Sequence, residues 1–315
     1  MHRPTSIGIL GASGLLGDTL PTHIHSLGNV SFHLFQHRSR LDHFSYACIV
    51  HTDLSVFLRS IDSLISFIPI WVLINLLNSS NSHEATFKRI VAVSSTSALT
   101  KINSTDAWER EYAKRFLDSE RFLINFCSEH HYTLSIIRPT MIWGSGKDLN
   151  ITFIQRFIST FGFFILPSRG KGLRWPIHHS DLLNLIFDLV FLDSDTTYIA
   201  RGREQLSYYE LVVRVFSWQG LRPVIFVLPP SLLPITTYIA RHVTSKPYIN
   251  ISSFKRIDFT ESQILNEQNC LLSKNSFHPL QDADVLRPSW LARLLNKILS
   301  FIPLLPLTNF LTKLN

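Results

Sequence analysis

Apolar residues first recur along this chain as short continuous runs set off by glycines and polar turns, the pattern of strands buried on both faces. The runs are Ile7 to Leu10, Val30 to Phe35, Tyr46 to Val50, Ser63 to Ile68 and Lys88 to Val93. A helix from the first glycine turn to His25, closed by Gly28, and another after Pro69 fall between them. Five strands alternating with helices inside about 95 residues predict a parallel, doubly wound sheet with right-handed crossovers, whose ligands gather at the C-terminal strand ends.

Beyond Ser97 the period lengthens. Asp106 and Glu109 form a D-x-x-E cap opening a helix to about Glu129, with Tyr112, Phe116, Leu117, Leu123, Ile124 and Cys127 on its apolar face. Leu134 to Ile137 reads as a sixth strand, Ile151 to Phe161 as a helix, and Thr197 to Ala200 as a further strand. Ser180 or Asp181 is expected to cap a helix ending at Leu192, and Ser207-Tyr208-Tyr209-Glu210 is a capping box for one that runs to about Trp218. Val224 to Leu228 suggests a strand, Pro229-Pro230 a break, and Ser231 to His242 a helix. The expected class is α/β: a Rossmann-like doubly wound parallel sheet in residues 1–145, completed by about 176–220, with a smaller C-terminal α/β substrate lobe from 146–175 and 221–289 and an apolar tail, 290–315.

At 315 residues the chain can bury the cores of both lobes. Hydrophobic residues make up 45% and charged ones only 17%, which excludes a disordered chain. Lys and Arg exceed Asp and Glu by seven, but at scattered positions, which suits anionic small ligands and argues against nucleic acid. A basic residue before the first apolar run imitates a secretory signal; glycines break that run and no small-residue cleavage pattern follows. Cys48, Cys127 and Cys270 match no metal-ligand spacing and fit a reducing compartment, hence a cytoplasmic placement. The stretch Leu64 to Leu77 is too short to span a membrane and contains Pro69. In the tail, Leu-Leu and Ile-Leu pairs alternate with Arg293, Lys297 and Lys313; this suits either an interfacial amphipathic helix in peripheral contact with the inner membrane surface, or docking against its own domain or a partner.

The first turn, Gly11-Ala12-Ser13-Gly14-Leu15-Leu16-Gly17, follows a strand and opens a helix, the context a dinucleotide pyrophosphate requires. A tight turn without a ligand is the alternative. After strand two, where an acid would bind the ribose of NAD(H), stands Gln36-His37-Arg38-Ser39-Arg40. Arg38 and Arg40 suit a 2′-phosphate, so NADP(H) is expected in preference to NAD(H), the alternative being an exposed basic loop. Strand five ends in four hydroxyls, Ser94-Ser95-Thr96-Ser97.

These features resemble the extended short-chain dehydrogenase/reductase family of nucleotide-sugar epimerases, dehydratases and reductases. So do Asp53-Leu54 after strand three, Arg138-Pro139-Thr140-Met141-Ile142-Trp143-Gly144-Ser145-Gly146 after strand six, and Gly170-Lys171-Gly172-Leu173-Arg174 with the His178 to Leu182 stretch behind it. The resemblance covers about residues 5–220. It implies cofactor contacts from Gly11, Ser13, Gly14, Leu15, Gly17, Asp53, Leu54, Arg138 and Pro139, with Arg38 and Arg40 at the ribose phosphate. It also implies a catalytic hydroxyl at Thr96, a nucleotide diphosphate held by Asn150 and Arg174, and a homodimer. His178, His179 and Asp181 take structural roles, and no metal is expected.

In that family a tyrosine and a lysine four residues later exchange a proton with the substrate, the ammonium lowering the phenol's pKa. Here Tyr112 is followed at that place by Phe116, and none of the eight tyrosines has the lysine, although Glu120 stands where the family often has a glutamate. Lys101 and Lys114 are candidates for the missing ammonium; Lys101 is better placed, because its loop leaves the end of strand five. The expected function is an NAD(P)-dependent oxidoreductase or epimerase acting on a nucleotide-activated sugar, of 4-keto reductase or 4-epimerase type. The alternative is a non-catalytic NADP(H)-binding sensor or scaffold.

Overall fold

A computed structural model describes residues 5–28, 30–36, 48–79, 85–144, 146–192, 194–228, 256–258, 260, 269–280 and 284–301. In chain order the strands are β1 (Ser6–Leu10), β2 (Ser31–Phe35), β3 (Ile49–His51), β4 (Ser63–Ser66), β5 (Arg89–Val93), β6 (Thr133–Pro139), β7 (Ile142–Trp143), β8 (Phe164–Pro167), β9 (Leu173–Arg174), β10 (Ile177–His178), β11 (Thr196–Arg201), β12 (Leu206–Ser207), β13 (Ile225–Leu228) and β14 (Cys270–Leu272). The helices are α1 (Leu20–Ser26), α2 (Leu54–Arg59), α3 (Ile70–Leu77), α4 (Ser97–Thr100), α5 (Ala107–Glu129), α6 (Ile151–Phe161), α7 (His179–Phe191), α8 (Tyr208–Trp218) and α9 (Trp290–Phe301). Two units divide the chain, the first made of Met1–Ser145, Trp175–Glu204 and Glu261–Phe277, the second of the rest.

In the first unit eight strands pair in the order β14-β11-β6-β5-β4-β1-β2-β3. All the pairings are parallel. Because side chains alternate across a strand, each apolar run feeds two cores. Ile9, Ile65, Val91 and Ile137 pack with Leu20 and Ile24 of α1 and Leu182, Leu183 and Ile186 of α7. Leu10, Leu64, Ile90 and Ile136 pack on the other face with Phe57 of α2, Leu73 of α3 and Phe116 and Leu123 of α5. The sheet is therefore doubly wound. β1 lies between β2 and β4, so the strand order reverses beside it, and the crevice of such a reversal opens at the end of β1.

Several sequence expectations change in detail. The helix after the glycine turn opens as a 3-10 turn, Leu15–Thr19, and becomes α-helical only at Leu20. Pro21 has no N–H to give and its ring excludes the carbonyl four residues back, so the Leu20 amide closes the tighter bond to Gly17 O. On α5 the buried line runs through Glu109, Ala113, Phe116, Glu120, Leu123 and Cys127, while Ile124 faces outward. Neither Ser180 nor Asp181 caps α7: the His178 ring accepts from the Ser180 amide, and the Asp181 carboxylate accepts from Asn275. The last strand of the sheet is β14, which no sequence pattern announced, and α8 belongs to the second unit. Tyr46, Pro229, Pro230 and the expected helix from Ser231 to His242 lie outside the described residues.

The second unit holds α6, α8 and α9 with two small sheets, β8 with β13 in parallel and β9 with β12 antiparallel. α6 spans the expected residues, and Ser207 with Glu210 forms the expected capping box of α8. The Gln219 amide at the end of α8 donates to Gln155 O of α6 (3.0 Å) and to Leu286 O (2.9 Å). Gly162 ends α6 at φ +73°, and a Cβ there would stand 2.1 Å from Ala292 O of α9, so only glycine permits this approach. Among the described residues no helix is long and apolar enough to cross a membrane.

Candidate functional site

The glycine turn sits at the strand reversal. Gly11 adopts φ +86° and its carbonyl accepts from the Gly14 amide (3.0 Å), whose carbonyl accepts in turn from the Gly17 amide (3.1 Å). A Cβ on Gly17 would fall 1.6 Å from Ala12 O, so the first helical turn lies directly on the strand end. Ser13 and Gly14 are exposed and Leu15 is half-buried. The turn thus presents backbone to solvent where β1 meets the segment after β4, and Phe67 N donates to Leu10 O (2.9 Å). This cradle fits a dinucleotide pyrophosphate, which needs close backbone approach and outward N–H groups. Asp53, after β3, caps α2: its carboxylate accepts from the Ser55 hydroxyl (2.6 Å) and the Val56 amide (3.1 Å), and these bonds hold its pKa below the ordinary value. Leu54 packs half-buried against the α2 face core. Arg38 and Arg40 lie outside the described residues.

At the end of β5 the four hydroxyls separate. Thr96 is buried and donates to Pro139 O (3.0 Å), and its amide reaches the same oxygen (3.2 Å). Ser94 is buried and donates to Glu120. Ser95 and Ser97 stay half-exposed, the Ser95 oxygen accepting from the Ser97 amide (3.1 Å). Arg138 turns inward: its Nε donates to Glu120 Oε1 (3.0 Å) and its Nη2 to Oε2, a two-pronged ion pair joining β6 to α5. Trp143 packs edge-on against His178 (4.8 Å) and Phe277 (5.0 Å), and a Cβ on Gly144 would meet His179 at 2.3 Å.

Tyr112 projects from the start of α5 into a group of rings. Trp108 stacks on it (5.1 Å, 10°), with Trp71 and Phe116 at its edges (5.8 and 5.1 Å). Lys101, from the turn after α4, places its Nζ 5.5 Å from the centre of the Tyr112 ring. Fold and not sequence spacing thus brings together the lysine and tyrosine that the sequence analysis singled out. Burial nevertheless pushes the phenol's pKa above its ordinary value, the Arg115 charge opposing it in part. Lys114 is exposed on α5. Trp71, Trp108 and Arg115, whose guanidinium covers Trp71 at 4.3 Å, received no role from the sequence. The four-residue spacing of Trp108, Tyr112 and Phe116 on one helix was the available signal.

In the second unit Asn150 is exposed before α6, and Asp148 makes the cap, its Oδ1 accepting from the amides of Asn150 (3.1 Å) and Thr152 (3.0 Å). Arg174 is buried on β9, with Nη1 donating to Leu173 O (2.7 Å). Beside it Tyr208 is pushed up to about 12 by burial, against the opposing Arg174 charge.

No protein-family model matches the chain. No curated protein matches it either. Solved structures do. UDP-N-acetylglucosamine 4-epimerase from Bacillus cereus is similar at 17% identity and a TM-score of 0.58, over 82% of this chain and 99% of that one. UDP-glucuronic acid 4-epimerase from Bacillus cereus, solved with NAD, is similar at 15% identity and 0.58, over 82% and 96%. UDP-glucose 4-epimerase from Thermotoga maritima, solved with UDP-glucose, is similar at 12% identity and 0.55, over 71% and 86%. Likeness at these identities establishes a shared fold, the Rossmann-like architecture the sequence analysis expected.

Proposed function

We propose that this chain binds a nicotinamide dinucleotide at its glycine turn and acts on a nucleotide-activated sugar, as an oxidoreductase or epimerase of the 4-keto reductase or 4-epimerase type. The observation that carries the catalytic part is the Lys101 ammonium beside the Tyr112 ring, which supplies from another loop the charge that Phe116 cannot. The nicotinamide, when bound, supplies a hydride donor or acceptor. Gly11, Ser13, Gly14, Leu15 and Gly17 give the backbone cradle, and Asp53, Leu54 and Pro139 shape the neighbouring strand ends. Arg138 acts through Glu120, holding α5 on the sheet.

Lys101 is assigned the family ammonium's role on the strength of its place over the ring, so that the Tyr112 hydroxyl, or a water held by it, passes a proton to or from the sugar oxygen, with the Arg115 charge opposing the burial that raises the phenol. With the Thr96 hydroxyl donating to Pro139 O, the half-exposed Ser95 hydroxyl is the better donor to that oxygen. Arg174 and Asn150 are assigned to the diphosphate, and the preference for NADP(H) rests on Arg38 and Arg40.

A second reading, a cofactor-binding protein without turnover, is favoured by one observation: Trp108 covers the Tyr112 ring while burial raises its pKa. Denaturing the purified protein and identifying what is released, then supplying NADPH or NADH with UDP-4-keto-sugars, separates the two. Enzyme function predicts hydride transfer that Lys101→Ala slows at least tenfold with cofactor affinity unchanged. Tight cofactor binding with no transfer to any sugar supplied would favour the second reading.

A further inference from the structure

Helix α9 leaves most of its large apolar side chains facing outward, where an ordinary surface helix turns its apolar stripe to the core. Its protein-facing side is Ala292 and Asn296, both buried, flanked by the half-buried Leu295 and Leu299. Ala292 O lies against Gly162, and Asn296 Nδ2 donates to Gly162 O (2.7 Å) and Arg222 O (2.8 Å) while its Oδ1 accepts from the Arg222 amide (3.2 Å). Ser289 adds two bonds at the start of the helix: its amide donates to Ser159 O (2.9 Å) and its hydroxyl oxygen accepts from the Ala292 amide (3.0 Å). Backbone approach and amide hydrogen bonds hold this helix together with the partial burial of Leu295 and Leu299.

Five of its seven large apolar side chains point the other way. Trp290 (76% exposed), Leu291, Leu294, Ile298 and Phe301 (70%) are all exposed. At 3.6 residues per turn they fall within an arc of about 100°, centred opposite Asn296. Arg293 and Lys297, also exposed, border one edge of that arc. The surrounding sequence is one-sided in charge: residues 285–315 contain Arg287, Arg293, Lys297 and Lys313 and no Asp or Glu.

We propose that this face of α9 docks on an anionic lipid surface, lying in the plane of the interface. Leu294, Ile298 and Phe301 enter the acyl boundary, Trp290 sits at headgroup level, and Arg293 and Lys297 meet the lipid phosphates. Charge decides between this occupant and a second copy of the chain. Two copies facing through α9 would oppose cation to cation with no acid in the segment to answer, whereas an anionic bilayer answers both the charge and the apolar stripe.

The test is sedimentation of the full-length protein with vesicles of phosphatidylcholine containing 30% phosphatidylglycerol, and with phosphatidylcholine alone. Binding to the anionic vesicles is expected, weakened by raised salt, at least tenfold stronger than to the neutral ones, and accompanied by a blue shift of tryptophan emission that Trp290→Phe reduces. Leu294→Glu with Ile298→Glu should reduce binding at least tenfold without altering circular dichroism, since both side chains are exposed, and Arg293→Gln with Lys297→Gln should abolish the preference for anionic lipid. The proposal is overturned if the parental protein does not bind, or if the double glutamate variant binds as well as the parent, which would assign binding elsewhere. It is equally overturned if the parent is a dimer that the glutamates dissociate while neither form binds vesicles.

Discussion

Replacing Glu120 by Leu would strand the Arg138 guanidinium. The two side chains are 4% and 13% exposed, and the fork uses both carboxylate oxygens. Removing one partner of such a buried pair costs about 3–5 kcal/mol, because the other charge is left without compensation. The Ser94 hydroxyl loses its acceptor as well, adding about 1 kcal/mol. Glu120→Leu is therefore expected to lower unfolding stability by about 4–6 kcal/mol, Arg138→Leu by about 3–5 kcal/mol through the buried carboxylate. The double variant should return to within about 2 kcal/mol of the parent, since an apolar pair of similar volume often matches a buried ion pair. Urea unfolding of the four proteins closes a double-mutant cycle, and a coupling energy of about 3 kcal/mol or more is expected. A single-variant cost below about 1 kcal/mol, or a double variant as unstable as the sum of the singles, would refute the view that this pair locks α5 to the sheet.

Three other outcomes follow from the geometry. Gly17→Ala should abolish soluble expression, read as loss of the protein from the supernatant, because the added carbon would meet Ala12 O at 1.6 Å and the first helical turn cannot close on the strand end. Asp53→Ala should lower stability through loss of the α2 cap, read as a lower urea midpoint at an unchanged slope. His33 and His51 share a 2.9 Å hydrogen bond and both are held below the ordinary value of 6.5, His33 by burial and then by the His51 charge, with Asp62 opposing, and His51 by burial. The unfolded chain then takes up protons first as pH falls, so the neutral pair contributes stability above about 6.5 that is lost as pH drops through the lowered folded values. His51→Gln should flatten the pH dependence of the thermal midpoint below pH 6.5; an unchanged slope would count against the pair.

What the sequence disclosed, and what it withheld, divides by the range of the interactions. β1, β2, β4, β5 and β6 were legible because a strand inside the sheet, buried on both faces, needs an apolar run, and α6 and the Ser207 box because cap and period are local signals. β14 was not: Cys270-Leu271-Leu272 is too short to stand out and becomes a strand only by pairing with β11, some seventy residues earlier. The His178 cap escaped notice because a ring nitrogen does there what a carboxylate or hydroxyl ordinarily does. The glycine turn was readable, since its glycines answer to backbone geometry, whereas the meeting of Lys101 with Tyr112 depends on how the turn after α4 folds against α5. The outward apolar face of α9 was hidden for the same reason. A helical wheel shows which side is apolar; only Gly162 and Arg222 decide which side faces the protein.

Two glycines of the first turn are constrained by different things, and this separates folding from ligand binding within four residues. Position 17 has no room for any side chain, whether or not a ligand is present. Position 14 lies in ordinary extended backbone, at φ −79°, and a Cβ there would meet only Gly11 O, at 3.3 Å. In a saturation library scored for soluble expression, position 17 should therefore accept glycine alone while position 14 tolerates many residues. Scored for dinucleotide retention, position 14 should narrow sharply, and the difference between the two scores at that one site measures how closely the ligand lies against the chain.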